Sequence, residues 1–193
     1  AAAEIRQTAV HMKGNLGQYV AKLYANNPKS APKILRNQSR QFKSRHPKTG
    51  RPMKAGGFYR RSTDAITISD TNISHAMSHE IGHQITVGRH LAPMIGEKRA
   101  ASFMKEVRKA FAAAEKRQAT QNAVLKSKGL EENAVGSITQ YGMSDIREYM
   151  AEGFKWAMRD PYKFSGKDDE LLKIMQKYLV KDNPVRSGTG QGG

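Results

Sequence analysis

The sequence predicts an α+β fold, mostly helical, in which a small β-sheet or hairpin precedes a helix carrying two histidines four residues apart. Three observations carry this expectation. Apolar residues recur at three- and four-residue steps through most of the chain. Aromatic and β-branched residues flank a polar turn only once, between residues 57 and 69. The 193 residues, 38% hydrophobic and 26% charged, suffice for one compact domain with a real core.

Taken in order, Ile5, Ala9, Met12, Leu16, Val20 and Leu23 form one apolar face and predict a helix over 2–25, stopped by Asn26-Asn27-Pro28. A second, short helix is expected from Ala31 to about Phe42. From Lys43 to Gly57, Pro47, Pro52, Gly50, Gly56 and Gly57 sit among six Lys, Arg and His residues, which reads as a basic loop. Gly57–Arg61 and Ala65–Ser69 then form a hairpin about Ser62-Thr63-Asp64. Asp70 or Thr71 caps a helix over Asn72–Val87 that Gly88 ends, with Ile73, Met77, Ile81 and Ile85 on one buried stripe. A longer helix is expected over Glu97–Ser127 and a loop over 128–140. Ser144 or Asp145 opens a further helix to about Met158, closed by Asp160-Pro161. Asp168 starts the last helix, which runs to Val180 and turns Leu171, Leu172, Ile174, Met175, Tyr178 and Leu179 to the core.

Charge divides the chain. Residues 1–63 carry 14 Lys and Arg against the single acid Glu4, which leaves +3 of the total +16 for the other 130 residues. Such a basic arm suits nucleic acid, an anionic surface or an acidic partner, or is a solubilising surface. The expected organisation is a basic helical arm over 1–55, a main folded domain over 56–183 and a flexible tail over 184–193. The start, without Met or an apolar signal core, reads as a processed or excised piece of something longer. No apolar run approaches the ~18 residues that span a membrane. There is no cysteine, so histidines and carboxylates are the strong transition-metal ligands available.

His79-Glu80-Ile81-Gly82-His83 is the chemical signal. Residues four apart on a helix lie one above the other, about 6 Å along the axis, so both imidazoles reach one metal ion. Glu80 is displaced around the helix beside the metal. There it can take a proton from water and return it to a leaving amine. Gly82 lets another element pass close. His75 continues the row, but three residues spanning about 12 Å do not wrap one tetrahedral ion, so it reads as packing or as a support to a ligand. The metzincin pattern requires Gly and His where Thr86 and Arg89 stand, and His90 falls at the wrong spacing.

A catalytic zinc site needs a third protein ligand. Glu97, Glu131, Glu132, Glu148 and Glu152 are candidates; Glu148 and Glu152, four apart on a largely apolar helix, are carboxylates in need of a partner. The alternative for that pair is an exposed match with Arg147 and Lys155.

Gly56-Gly57-Phe58-Tyr59, Ala65-Ile66-Thr67-Ile68, the motif at 79–83, Ile138-Thr139-Gln140-Tyr141-Gly142 and Arg147-Glu148-Tyr149-Met150-Ala151-Glu152-Gly153-Phe154 together resemble the anthrax lethal factor-like zincins, which include the Pro-Pro endopeptidases and toxin- and phage-encoded domains. The shared pattern is a strand pair, a His-Glu-x-x-His helix, and a Tyr seven residues before an E-x-x-A-E-x-F helix. Gly142 and Gly153 depart from the Ala more usual there. The resemblance implies a zincin-like fold, zinc held by His79, His83 and Glu148, Glu80 as general base and acid, Tyr141 donating to the oxyanion, and Glu152 accepting from a motif histidine.

The expected activity is zinc-dependent hydrolysis of a peptide bond in a protein or peptide substrate. A rival expectation is a phage virion-associated structural or cargo protein with a zincin fold, whose arm within residues 1–63 binds DNA or another virion component; its locale would be the virion, as against a secreted or injected effector. A DNA-linked protease of the SprT type ranks last, since it wants a third downstream histidine and often a cysteine zinc ribbon.

Overall fold

The computed structural model describes residues 16, 18–19, 33–37, 42–45, 50, 52–69, 73–137, 139–159 and 166–180. Five strands lie in its first part: β1 (Lys33–Asn37), β2 (Phe42–Arg45), β3 (Pro52–Ala55), β4 (Gly57–Arg60) and β5 (Ala65–Ser69). Helices follow: α1 (Ile73–Thr86), α2 (Leu91–Ile95), α3 (Glu97–Ser127), α4 (Ile146–Arg159) and α5 (Asp169–Met175), which runs on into a π-helical turn over Gln176–Val180. The α+β class with a small sheet ahead of the helices is therefore observed.

The expected hairpin is present as β4 and β5, antiparallel, with Phe58 opposite Thr67 and Tyr59 opposite Ile66. It is not alone. β1 pairs parallel with β5, giving a three-stranded sheet of order β1-β5-β4, and β2 pairs with β3 in a separate antiparallel ribbon. The short helix expected over 31–42 is thus replaced by strand, and the basic loop over 43–57 contains two strands. The reason is tertiary. β5 is central and buried at Ala65, Ile66, Ile68 and Ser69, and its second edge needs a ladder partner that Lys33–Asn37 supplies. β1 lies within the first 55 residues, yet completes a sheet whose other strands lie beyond them.

Of the helix expected over 2–25, Leu16, Gln18 and Tyr19 are helical; its remaining residues, the caps at Asp70 and Thr71 and the stop at Asp160-Pro161 lie outside the described residues. α3 has the expected bounds, and α2 was not foreseen because Leu91–Ile95 is a single turn or so. Asp145 caps α4 by accepting from the backbone of Arg147 at 2.7 Å and Glu148 at 3.1 Å. Asp168 caps α5 through Leu171 N–H and also accepts from Tyr149 and Ser137 at 2.8 and 2.7 Å, so one buried carboxylate joins α4, α5 and the loop before them.

The core lies between the sheet and the helices. Met77, Ile81 and Ile85 of α1 are buried as their spacing predicts, together with Ile66, Ile68, Phe103, Val107, Tyr149, Phe154, Leu171 and Met175; the side chain of Ile73, the fourth member of that stripe, lies outside the described residues. Burying each such large side chain contributes about 1.5–3 kcal/mol. α1 packs closely on α4 at Gly82, where a Cβ would stand 3.0 Å from Ala151 Cα and 3.1 Å from Phe154 Cβ. The near approach expected from this glycine is observed, and it brings the histidine-bearing helix against the helix of Glu148 and Glu152. At the far end of α1, Asp64, in the left-handed region at φ 46°, accepts from Tyr59 Oη at 2.9 Å and Gln84 Nε2 at 3.2 Å and pairs with His90 Nε2 at 3.1 Å. Tyr19 Oη meets His90 Nδ1 at 2.9 Å, so this polar network ties the hairpin turn to α1 and to residue 19.

Candidate metal centre

The spacing that stacks His79 above His83 on α1 brings their rings to 4.7 Å between centroids, nearly perpendicular at 86°. Both Nε2 atoms converge on Glu148 Oε2 of α4, at 3.0 Å from His79 and 3.2 Å from His83. These three side chains form a group that could hold a metal ion. A tetrahedral ion with legs of about 2.0–2.1 Å sets its ligand atoms about 3.3 Å apart, close to the two separations from Glu148.

His79 is turned to this position by Glu152, one helical turn beyond Glu148. The Nδ1–H of His79 donates to Glu152 Oε1 at 2.9 Å. Glu152 is itself saturated: it accepts from Lys155 Nζ at 2.7 Å, Trp156 Nε1 at 3.2 Å and Thr139 Oγ1 at 3.2 Å. A carboxylate so held fixes the histidine tautomer and leaves Nε2 for a metal. Thr139 also receives the N–H of Gly142, which shapes the turn leading to Tyr141.

Burial works against a charged ring at His79, yet the hydrogen bonds to Glu148 and Glu152 more than offset it and raise its pKa to about 9. Burial likewise opposes ionisation of both carboxylates. His79 and His83 hold Glu148 well below the usual range, and His79 with Lys155 brings Glu152 to about 2. The cradle therefore favours positive charge at its centre, as a metal site requires.

Glu80 is 5% exposed. Burial raises its pKa against the pull of His79 and His83, while the backbone N–H of Tyr59 in β4 steadies its ionised form. Its Oε2 is buried with no hydrogen-bond partner among the described residues, an acceptor left over. Gly57 makes room for it: a Cβ there would meet Thr67 O at 2.9 Å and Glu80 Cγ at 3.2 Å. Tyr141 is half-buried with its ring 5.8 Å from that of His79 and its hydroxyl bonded to Glu148. Burial, then the charge of Glu148, push its pKa well up, so the phenol is a donor and not a base.

All six residues implied by the resemblance lie together. Glu97, Glu131 and Glu132 are exposed, and Glu132 pairs with Lys126 at 3.5 Å. His90 belongs to the Asp64 network, and the side chain of His75 lies outside the described residues. The match weighed for the acidic pair on α4 is split: Lys155 does bind Glu152, but Arg147 pairs with Asp145 at 3.0 Å and Glu148 is left to the histidines. Sequence reasoning missed Thr139, Trp156 and Gly57. Trp156 stands four residues after Glu152 on one helix face, a legible signal; Thr139 and Gly57 act across elements and left none. Comparison of the chain with protein-family models, with curated proteins and with solved structures gave no match.

Proposed function

We propose that the chain is a zinc-dependent metalloendopeptidase of the Glu-ligand zincin class. The observation that carries this reading is the convergence of His79, His83 and Glu148 beside a buried, incompletely bonded Glu80. The resemblance to the anthrax lethal factor-like zincins supports it.

His79, His83 and Glu148 would hold the zinc, and Glu152, Thr139, Lys155 and Trp156 would hold His79 in place. When bound, zinc supplies Lewis acidity towards a scissile carbonyl and makes water acidic enough to serve as a nucleophile near neutral pH. Glu80 takes the proton released by that water, its raised pKa suiting it to keep and then pass the proton to the departing amine. The Tyr141 hydroxyl leaves Glu148 and donates to the developing oxyanion. β4 is an edge strand of the sheet and touches Glu80 through Tyr59, so an extended peptide added to that edge crosses the site.

Metal analysis of the purified chain tests the reading. About one zinc per chain is expected, lost in His79→Ala and Glu148→Ala and retained in Glu97→Ala and Glu131→Ala. Zinc retained in Glu148→Ala would remove the proposed third ligand. Cleavage of a peptide library, with Glu80→Gln as the inactive control, tests the reaction.

A further inference from the structure

The face of the three-stranded sheet turned away from Ile66 and Ile68 carries two large apolar side chains that stay exposed, Leu35 at 51% and Phe58 at 37%. Both pair with Thr67 of β5, so the three stand in one row across the strands. Lys33, Ala65 and Arg60 form the next row in the same way. Lys33 and Arg60 are exposed at its two ends. The guanidinium of Arg60 lies 5.9 Å from the centroid of the Phe58 ring, so the two side chains stand together on that face. No ion pair joins Arg60 to an acid among the described residues.

Both rows run out at β4, which ends the sheet among the described residues. The bond from Ser69 N–H to Gly56 O, at 2.9 Å, fixes the alternation of the β4–β5 ladder. Gly56, Phe58 and Arg60 bond inward to β5, and Gly57 and Tyr59 turn their backbone groups to the other side. The bond from Tyr59 N–H to Glu80 agrees with that direction.

Antiparallel pairing is the more stable direction per residue. An antiparallel strand added to β4 hydrogen-bonds at Gly57 and Tyr59. Phe58 and Arg60 then fall at the positions between, where opposed Cα atoms are about 4.5 Å apart and side chains come closest. Each row thus continues into the added strand, which meets Arg60 first and Phe58 two residues later. The residue between turns to the face that Tyr59 presents. A carboxylate suits the fork of Arg60, a lysine there is repelled, and an aromatic or β-branched side chain suits the ring of Phe58.

We propose that Phe58 and Arg60 select the substrate: the peptide bound along β4 carries an acidic residue opposite Arg60 and, two residues later, an aromatic or β-branched residue opposite Phe58. This deepens the peptidase reading and rests on it, since there a substrate strand adds to β4.

Fluorescence anisotropy of short labelled Thr/Ser peptides tests it, with the full chain and a chelator present to prevent turnover. A peptide bearing Asp-Thr-Tyr is expected to bind about fivefold tighter than one bearing Lys-Thr-Tyr, and about threefold tighter than one bearing Asp-Thr-Ala. Arg60→Glu is expected to reverse the first preference and Arg60→Lys to keep it, while Phe58→Ala abolishes only the second. Arg108→Glu, the same charge reversal on an exposed position of α3, is expected to change neither. Should Arg60→Glu not fold, Arg60→Gln is expected to lose the first preference without reversing it. The proposal is overturned by equal binding of the Asp and Lys peptides, by a preference that survives loss of the Arg60 charge, or by tighter binding of the reversed order Tyr-Thr-Asp. Cleavage of the same peptides and of the library is scored separately with zinc restored. Cleavage without the preference overturns this inference alone, and the preference without any cleavage overturns the peptidase reading while the binding preference stands.

Discussion

In the proposed reaction Glu80 and Tyr141 do different things with a proton, and their surroundings separate them. Burial raises both, but a raised carboxyl becomes a carrier that can take and return a proton, whereas a raised phenol becomes a permanent donor. Glu80→Gln keeps the shape and removes the carrier: turnover is expected to fall by about 10²–10⁴-fold with zinc content unchanged. Tyr141→Phe removes one oxyanion donor and is expected to lower kcat by about 10²–10³-fold, with KM and zinc little altered. A Tyr141→Phe variant whose loss lies wholly in KM would move this residue from the reaction to substrate binding. The motif at 79–83 could be read from the sequence because its chemistry depends on helical periodicity alone. Spacing on a largely apolar helix singled out Glu148 and Glu152 from Glu97, Glu131 and Glu132, but choosing Glu148 over Glu152 as the ligand needed the resemblance. The exposure of Glu97, Glu131 and Glu132 sets them apart from a buried site.

Between elements, the site depends on how closely two helices approach. The histidines ride on α1 and Glu148 with Glu152 on α4, so a few tenths of an ångström between the helices are felt directly in the donor set. Gly82→Ala adds about 1 kcal/mol of intrinsic helix propensity. Its Cβ, however, meets the backbone of Ala151 at 3.0–3.1 Å, and backbone has little room to yield. Overpacking of that kind costs about 1–3 kcal/mol. The balance is expected to be a net loss of about 1 kcal/mol in chemical denaturation, accompanied by weaker zinc binding in competition with a chelator. An unchanged zinc affinity would mean that the separation of α1 and α4 does not control the site. Helix bounds were legible where a cap or a long periodic run marks them, as at Asp145, Asp168 and across α3. β1, β2 and β3 were not, because four- and five-residue segments take their conformation from a partner strand that local sequence does not reveal.

For the molecule as a whole, one cluster of charge links stability to pH and to metal. In the metal-free protein His79 is raised from 6.5 to about 9, so its contribution is complete below pH 6.5 and is lost as pH climbs through 9. Glu152 is lowered from 4.5 to about 2, so its contribution is complete above pH 4.5 and is lost as pH falls through 2; Glu148 shifts in the same sense. Chelator-treated protein is thus expected to be most stable between about pH 4.5 and 6.5. Zinc requires neutral His79 and should raise the alkaline side, by about 10 °C in Tm at a thousandfold excess over Kd. Melting curves against pH with and without zinc check both limbs, and an alkaline limb that is flat without zinc would contradict the cluster described. The sequence by itself determined the α+β class, the bounds of α3, the buried stripe of α1 and the two histidines with their glutamate, since each is encoded in the period of a single segment. Only the tertiary structure decided that Lys33–Asn37 is a strand, that the basic segment folds into a ribbon with lysines opposed, and that Glu148 meets both histidines while Glu152 holds one of them. Those outcomes depend on which segments pair and pack together, and the energy that selects them resides in the ladders of β5, the β2–β3 pairing and the contact of α1 with α4.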